Sequence, residues 1–335
     1  MRSLLVTAAM GIIATASPVH AQPQPSFRCA GAVRPLDRAI CASEDLAASE
    51  RTLAERVATL RGQLTSAGYA TVASTQAEWE RTTEAMCLGE ATDAAVEPVV
   101  CLIERYSARL QDLDVPTGAA ADLRLEGRLR FRGNIADGHW EEDVYPVLVA
   151  GPKPVVAAFN AHVARELKLD RPLLAGGTPP GIPRWRVFHR RGFEIASMNK
   201  QILSLPVFET WDVGGEAGGQ TRRTINWNVT RNRPLRFEDL FRQGAEWRAS
   251  VVASARAELQ HQLELDANDP DPSSSAVERV VSRIEAWTFR PGAIVLQFDP
   301  DTVAKRAEGE FQVEIALSAL EPYLAPGAPL PDQTP

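Results

Sequence analysis

Apolar residues in the first third of the chain recur at the spacing of an α-helix. From residue 46 to residue 64 they fall at steps of seven, four, three and four, which places them on one helix face: Leu46, Leu53, Val57, Leu60 and Leu64. Ser43 precedes this run as a candidate N-cap, with Glu44 and Asp45 in the first turn. We predict a first helix here that ends near residues 67–68.

The same periodicity predicts two more helices. Val72, Trp79 and Met86 mark the second, and the third is marked by Leu102, Ile103, Tyr106, Leu110 and Leu113. Because the connections are short, the helices are expected to form an antiparallel bundle. We assign this helical domain to residues 22–113.

The pattern changes in the next segment. Residues 114–122 contain Pro116, Gly118 and three consecutive alanines, and they are predicted to be a linker. From residue 123 onward apolar positions (Leu123, Leu125, Leu129, Phe131) alternate with charged ones (Arg124, Glu126, Arg128, Arg130, Arg132), as in a strand with one buried face. We interpret the arginine face as the solvated face of an edge strand, with a contact to phosphate or glycan as the alternative.

Strand and helix patterns then continue without a regular alternation as far as residue 324. Helical periodicity covers residues 155–167, 251–263 and 277–284, and strand patterns cover residues 193–210, 222–230, 294–298 and 311–315, before a short helix that begins at Ser318. This mixture favours an α+β fold, in which a disulfide-linked helical domain precedes a mixed α+β domain with a largely antiparallel sheet. The second domain is assigned to residues 123–324, and residues 325–335 are predicted to be a flexible tail.

The N-terminal residues have the pattern of a cleaved secretory signal peptide. Arg2 precedes an apolar stretch at residues 4–16, and small residues stand one and three places before a cleavage point after Ala21. Residues 1–21 are therefore predicted to be removed, which would leave a soluble periplasmic protein that begins at Gln22. No cysteine stands at the cleavage point and no later segment is long and apolar, so we expect no lipid or membrane anchor.

Four cysteines lie in the predicted helical domain: Cys29, Cys41, Cys87 and Cys101. An even number of cysteines in a short exported segment predicts two disulfides. Three pairings are possible, and the neighbour pairing Cys29–Cys41 with Cys87–Cys101 is favoured because it closes the shortest loops. Metal binding is disfavoured, since no two cysteines have the C-x-x-C spacing.

The helical segment resembles the N-terminal domain of lysozyme inhibitors of the LprI type over residues 27–113. The matching positions are Phe27, Cys29, Ala39-Ile40-Cys41, Leu46, Leu53, Gln76, Trp79, Cys87, Cys101-Leu102, Tyr106, Arg109-Leu110 and Leu113. The sequence departs from the family at Ser49-Glu50, where the family has Leu-Asp. The resemblance implies an exported helical domain that in some members binds and inhibits lysozyme.

The second domain resembles the C-terminal domain of the RsiV type, which is also found beside PdaC-like polysaccharide deacetylases. The resemblance spans residues 123–324 and rests on residues 203–208, Trp211, Gly214-Gly215, Asn226-Trp227-Asn228, residues 234–241, Phe298-Asp299-Pro300 and residues 307–315. Where the family continues Gly-Gly-Ala-His, this chain has Glu216-Ala217 after the two glycines. This resemblance also implies a domain type with lysozyme-binding members.

The inventory of reactive residues does not favour an enzyme. The four histidines after the signal segment have no metal-binding spacing, and no G-x-S-x-G elbow is present. Carboxylate neighbours such as Glu141-Glu142, or Glu308 with Glu310, could be glycosidase acids, but we interpret each as a solvated surface carboxylate. We therefore predict no catalytic activity, no metal and no cofactor.

A glycine-rich loop offers a candidate binding segment. It lacks the lysine and hydroxyl residue of a phosphate-binding loop, but it carries an aromatic residue and two acids on permissive backbone: Trp211, Asp212, Gly214, Gly215 and Glu216. Such a tip could enter a cationic cleft. A plain hairpin turn is the alternative.

The net charge of −7 points to a cationic partner and away from nucleic acid. We hypothesise a non-enzymatic periplasmic protein that binds or inhibits a lysozyme-like muramidase, through either the loop or the acidic helical domain. The alternative is a non-catalytic module that binds peptidoglycan in cell-envelope processing.

Overall fold

The computed structural model describes residues 24–89, 97–171, 185, 187–213, 218–263, 274–305 and 309–332. The predicted signal peptide, residues 1–21, lies outside these residues. So do Gly214, Gly215 and Glu216 of the candidate loop. In the part of the chain that is described, no helix combines the length and the apolar character needed to cross a bilayer.

Four helices begin the described chain: α1 (Pro35–Ala42), α2 (Glu44–Gln63), α3 (Ser66–Leu88) and α4 (Pro98–Asp112). The predicted cap is confirmed, because the Ser43 hydroxyl accepts a hydrogen bond from the Leu46 amide. The predicted end of the first helix is wrong: α2 stops at Gln63, and Thr65 caps α3 by accepting from the Gly68 amide at 3.2 Å. Gly68 lies in the first turn of α3, where the helix approaches the sheet so closely that a side chain would collide with Arg128.

Two disulfides join Cys29 to Cys41 and Cys87 to Cys101, so the favoured pairing is confirmed. The first holds the N-terminal segment to the end of α1, and the second joins the end of α3 to α4. Two disulfides are consistent with an extracytoplasmic location.

A large sheet follows, with strands β1 (Thr117–Ala120), β2 (Leu123–Asn134), β3 (His139–Ala150), β4 (Val187–Phe193), β5 (Ser197–Met198), β6 (Ile202–Val213), β7 (Gly219–Asn228) and β8 (Arg233–Pro234), and with helix α5 (Lys153–Glu166) between β3 and β4. The strand order is β1-β2-β3-β4-β6-β7-β8, with β5 paired to β6. Only the β3–β4 pair is parallel among the described strands. The predicted α+β fold with a largely antiparallel sheet is confirmed.

Two details of this sheet differ from the sequence predictions. β1 lies inside the predicted linker and pairs with β2, so β2 is not an edge strand. Its arginine face is only partly solvated: Arg124 and Arg132 are exposed, whereas Arg128 contacts Glu126 and Arg130 pairs with Asp143 at 2.7 Å. The strand predicted over residues 193–210 is the end of β4 followed by β5 and β6.

The chain ends in a smaller layer: α6 (Phe237–Leu240), α7 (Trp247–Gln262), α8 (Ser274–Val281), β9 (Trp287–Arg290), β10 (Ala293–Phe298), β11 (Phe311–Ala316) and α9 (Leu317–Leu320), with single 3₁₀ turns at Ile284–Ala286 and Glu321–Tyr323. The three strands form an antiparallel sheet in the order β11-β10-β9. In the predicted tail, the Leu330 carbonyl accepts a hydrogen bond from Asn199 at 3.0 Å.

Two apolar cores result. The first joins the helical segment to the large sheet, so that Trp79 of α3 and Leu129 of β2 belong to one cluster. The second surrounds Trp287, which is fully buried among Trp247, Phe237 and Phe241. Asn226 links the two layers, because its amide donates to the Ile284 and Trp287 carbonyls.

Candidate functional site

Only part of the predicted binding loop can be placed. Trp211 and Asp212 lie at the end of β6, and both side chains are half-buried. The Trp211 ring stacks on His189, with 6.4 Å between ring centroids and 12° between the planes. Gly219 of β7 pairs with Trp211 and leaves room for its indole, since a β-carbon there would come within 2.6 Å of the ring.

The interpretation of Glu141 and Glu142 as solvated carboxylates is wrong. Their exposed fractions are 4% and 3%. Both lie on β3, which is a central strand of the large sheet, so alternating side chains enter the packed layers on either side. A buried carboxylate requires a partner, and Glu142 has one on α4.

A cleft of about 450 Å³ lies between the C-terminal half of α4 and the large sheet. α4 supplies Arg105 and Asp112 to its wall, and the sheet supplies Trp140, Phe188, Arg190 and Phe208. The sequence patterns predicted the helix and the strands β2, β6 and β7, but neither β3 nor the greater part of β4. β4 lies between β3 and β6, and it carries two of these residues into the cleft.

Charged residues at positions 105, 109 and 112 come from the buried side of α4. The spacing of four and three residues places them on one helix face with Leu102. Arg109 is completely buried and donates to Glu142 Oε1 at 2.6 Å. Its other nitrogens donate to side-chain oxygens of Gln76 and Thr75 on α3, at 3.2 and 3.1 Å. The Arg109–Glu142 pair therefore ties α3, α4 and β3 together behind the cleft.

Asp112 forms the acidic part of the wall. One of its oxygens accepts a hydrogen bond from Arg190 of β4, and its carboxyl group is also hydrogen-bonded to Glu142. Burial, together with the negative charge of Glu142, raises the pKa of Asp112 to about 8. Although burial opposes it, the charge of Arg109 and the interaction with Asp112 lower the pKa of Glu142. The two carboxyl groups therefore titrate as a pair, and burial favours the protonated form of Asp112.

Arg105 forms the basic part of the wall. Its exposed fraction is 9%, and its guanidinium lies over the Trp140 ring at 4.3 Å from the centroid. Nε and Nη2 are buried, and no residue in the described part of the chain forms a hydrogen bond with them. Burial lowers the pKa of Arg105, although the nearby acids oppose this shift.

Aromatic rings form the apolar side of the cleft. Trp140 stacks on Phe188, with a centroid distance of 5.1 Å and an angle of 12°. Phe208 of β6 is 39% exposed, and it covers Gly192 of β4, where any side chain would collide with its ring. The glycine therefore allows the Phe208 ring to lie flat against the sheet at the cleft.

A second polar cluster lies beside the cleft on β4, β6 and β7, and its acidic residues are paired. Glu209 accepts from Arg191 at 3.0 Å and from Arg223 at 3.3 Å, and it lies 3.4 Å from His189 Nε2. Burial acts to raise the pKa of Glu209, but the hydrogen bond with His189 and the charges of Arg191 and Arg223 outweigh it and lower the pKa to about 2. This network stabilises the strands that support the cleft.

The sequence patterns did not reveal the cleft, although one signal for it was present. Three charged residues at helical spacing on an otherwise apolar face are unusual, because a buried charge requires a partner. The resemblance to the LprI type included Arg109 but gave it no role. No grouping of three or more His, Cys, Asp or Glu that could hold a metal occurs in the described ranges.

The fold and the cleft define an α+β protein in which a disulfide-linked helical layer packs on a sheet through buried ion pairs. Residues 238–318 match the family model described as "Protein of unknown function (DUF3298)", so the C-terminal region contains a domain of that kind. A comparison with curated proteins finds no match.

Solved structures are also similar to the chain, among them two DUF3298 proteins. One is a DUF3298 family protein from Pseudomonas aeruginosa PAO1, with 14% identity and a TM-score of 0.46, covering 64% of this chain and 99% of that one. The other is a DUF3298 family member from Bacteroides fragilis NCTC 9343, with 11% identity and a TM-score of 0.44, covering 61% and 94%.

Proposed function

We propose that this protein is a non-enzymatic periplasmic binding protein that takes a glycan fragment of the cell envelope in the α4 cleft. The observation that carries the proposal is the combination of an exposed aromatic ring, Phe208, with unpaired donors on Arg105 in one concave site. Apolar surface with a few placed polar groups is typical of small-molecule sites. A sugar ring can lie on Phe208 while its polar substituents reach the charged wall.

The geometry of the carboxyl pair favours binding over hydrolysis. Glycosidases need two carboxyl groups about 5 Å apart or more, on either side of the scissile bond. Asp112 lines the cleft, but Glu142 is buried on Arg109 and does not line it, so the two carboxyl groups do not face a glycosidic bond from either side. Purified protein is accordingly expected to release no reducing ends from peptidoglycan.

Calorimetric titration of the mature protein with soluble peptidoglycan fragments tests the proposal. Phe208→Ala should weaken binding by about tenfold, because the ligand loses an aromatic contact of roughly 1.5 kcal/mol. Val33→Ala is the matched control, since Val33 is 78% exposed and lies outside the cleft. Equal affinity of both variants for the fragments would contradict the proposal.

Binding of a lysozyme-like muramidase is the second candidate. It is favoured by the half-buried indole of Trp211 beside Asp212 at the end of β6, in a chain with a net charge of −7. Lysozymes of the c, g and i types belong in the same titration series. Replacing Asp212 and Glu216 together by Asn and Gln should weaken lysozyme binding and leave fragment binding unchanged, because an acidic tip faces a cationic partner.

A further inference from the structure

The cleft contains a buried cation without a counterion of its own. Arg109 is paired with Glu142 and Arg190 with Asp112, but no acid lies within ion-pair distance of Arg105 among the described residues. The cation–π contact with Trp140 holds the guanidinium in place without satisfying its hydrogen bonds. A buried charge that lacks a hydrogen-bond partner is costly, so this arrangement is expected to serve an anionic ligand.

The guanidinium of Arg105 is suited to a carboxylate. Its planar N–H groups can donate in pairs to both oxygens of one carboxylate, and Arg105 lines the cleft with buried Nε and Nη2 atoms that no described residue pairs. The charged residues that line the cleft are three arginines, Arg105, Arg190 and Arg191, and two acids, Asp112 and Asp114. The lining therefore has one basic residue more than acidic ones, although the whole chain is acidic.

We propose that the cleft is specific for acidic sugars, with the carboxylate of the sugar bound by the Arg105 guanidinium and the ring placed on Phe208. This inference rests on the proposed function and names the ligand class. It makes Arg105 the residue that distinguishes an acidic sugar from a neutral one.

N-acetylmuramic acid and N-acetylglucosamine form a suitable pair of probes, since both are N-acetylated amino sugars and only the first carries a carboxylate. Calorimetric titration of the mature chain at pH 7 should show that the acidic sugar binds about tenfold more tightly, as expected for a charge-assisted bidentate hydrogen bond. Arg105→Gln should abolish this difference. Arg105→Lys keeps the charge but has no planar pair of donors, so it should lose most of the difference.

Arg132→Gln is the matched control, because Arg132 is exposed on β2 outside the cleft and the variant changes the net charge equally. Thermal melting of each variant shows whether it is folded. If Arg105→Gln does not fold, the loss of the affinity difference between the two sugars is tested with Arg105→Lys alone. Equal affinity for the two sugars would overturn the inference and leave glycan binding in place. Failure of both sugars and of longer peptidoglycan fragments to bind would overturn the inference and the proposed function together.

Discussion

Arg109 of α4 donates to Glu142 of β3 at 2.6 Å, and both side chains are almost completely excluded from solvent. This bond connects the helical layer to the large sheet directly behind the cleft. Arg109 also bonds to α3, so one guanidinium fixes three elements. The cleft therefore depends on a buried ion pair that also holds the two layers together.

Removal of Arg109 should be strongly destabilising. Arg109→Met leaves Glu142 as an uncompensated buried charge, and we expect a loss of about 3–5 kcal/mol in the free energy of unfolding. Arg109→Met combined with Glu142→Leu should recover part of this loss, because no charge is then left buried. Chemical denaturation measures the free energy of unfolding of the wild type and of both variants.

Arg34→Gln is the control, since the Arg34–Glu80 pair is exposed and should contribute no more than about 1 kcal/mol. A loss in Arg109→Met no larger than in the control would contradict the role of the pair.

Ionisation of Asp112 should make the protein less stable at alkaline pH. Its pKa rises from 3.8 to about 8 in the folded state, so the folded protein holds a proton that the unfolded chain has lost. Stability should therefore fall as the pH rises from about 4 to about 8, and level off above that. Asp112→Asn should flatten the profile in this range, which thermal unfolding at a series of pH values measures. An unchanged slope in the variant would show that Asp112 does not carry the proton.

Protonation of Glu209 should make the protein less stable at acid pH. Its pKa falls from 4.5 to about 2 on folding, so its stabilising contribution is complete above about pH 4.5 and is lost as the pH falls towards 2. Glu209→Gln should destabilise the protein at pH 7 by roughly 1–3 kcal/mol, and the difference from wild type should vanish near pH 2. Glu285→Gln is the control, because the Glu285–Arg283 pair is about half exposed. A difference for Glu209→Gln that persisted undiminished at low pH would contradict this assignment.

Reduction of the two disulfides should destabilise the large sheet as well as the helices. Each loop closes about a dozen residues, and loss of a native disulfide typically costs about 2–5 kcal/mol. Since α3 and β2 share the first core, reduction should speed hydrogen exchange in both, while the core around Trp287 keeps its protection. Hydrogen exchange with and without reductant, followed by mass spectrometry, tests this. Faster exchange confined to the helices would mean that the shared core does not couple them to the sheet.

Local sequence patterns were sufficient for most of the helices and for the disulfides. The Ser43 cap, the periodicity of α2 to α4 and the pairing of neighbouring cysteines were all predicted correctly, because each depends on residues close together in the chain. The alternating pattern of β2 was also recognised. Its position inside the sheet was not, since strand order depends on partners far along the chain.

By itself the sequence determined the α+β class, the helical first third and the two disulfides, because periodicity and capping act over a few residues. Tertiary structure alone decided the cleft. Asp112 and Glu142 are thirty residues apart, and Arg190 comes from a strand that periodicity did not reveal. Whether such charges are solvated, paired or left for a ligand depends on what packs against them, and packing joins residues that no local pattern relates.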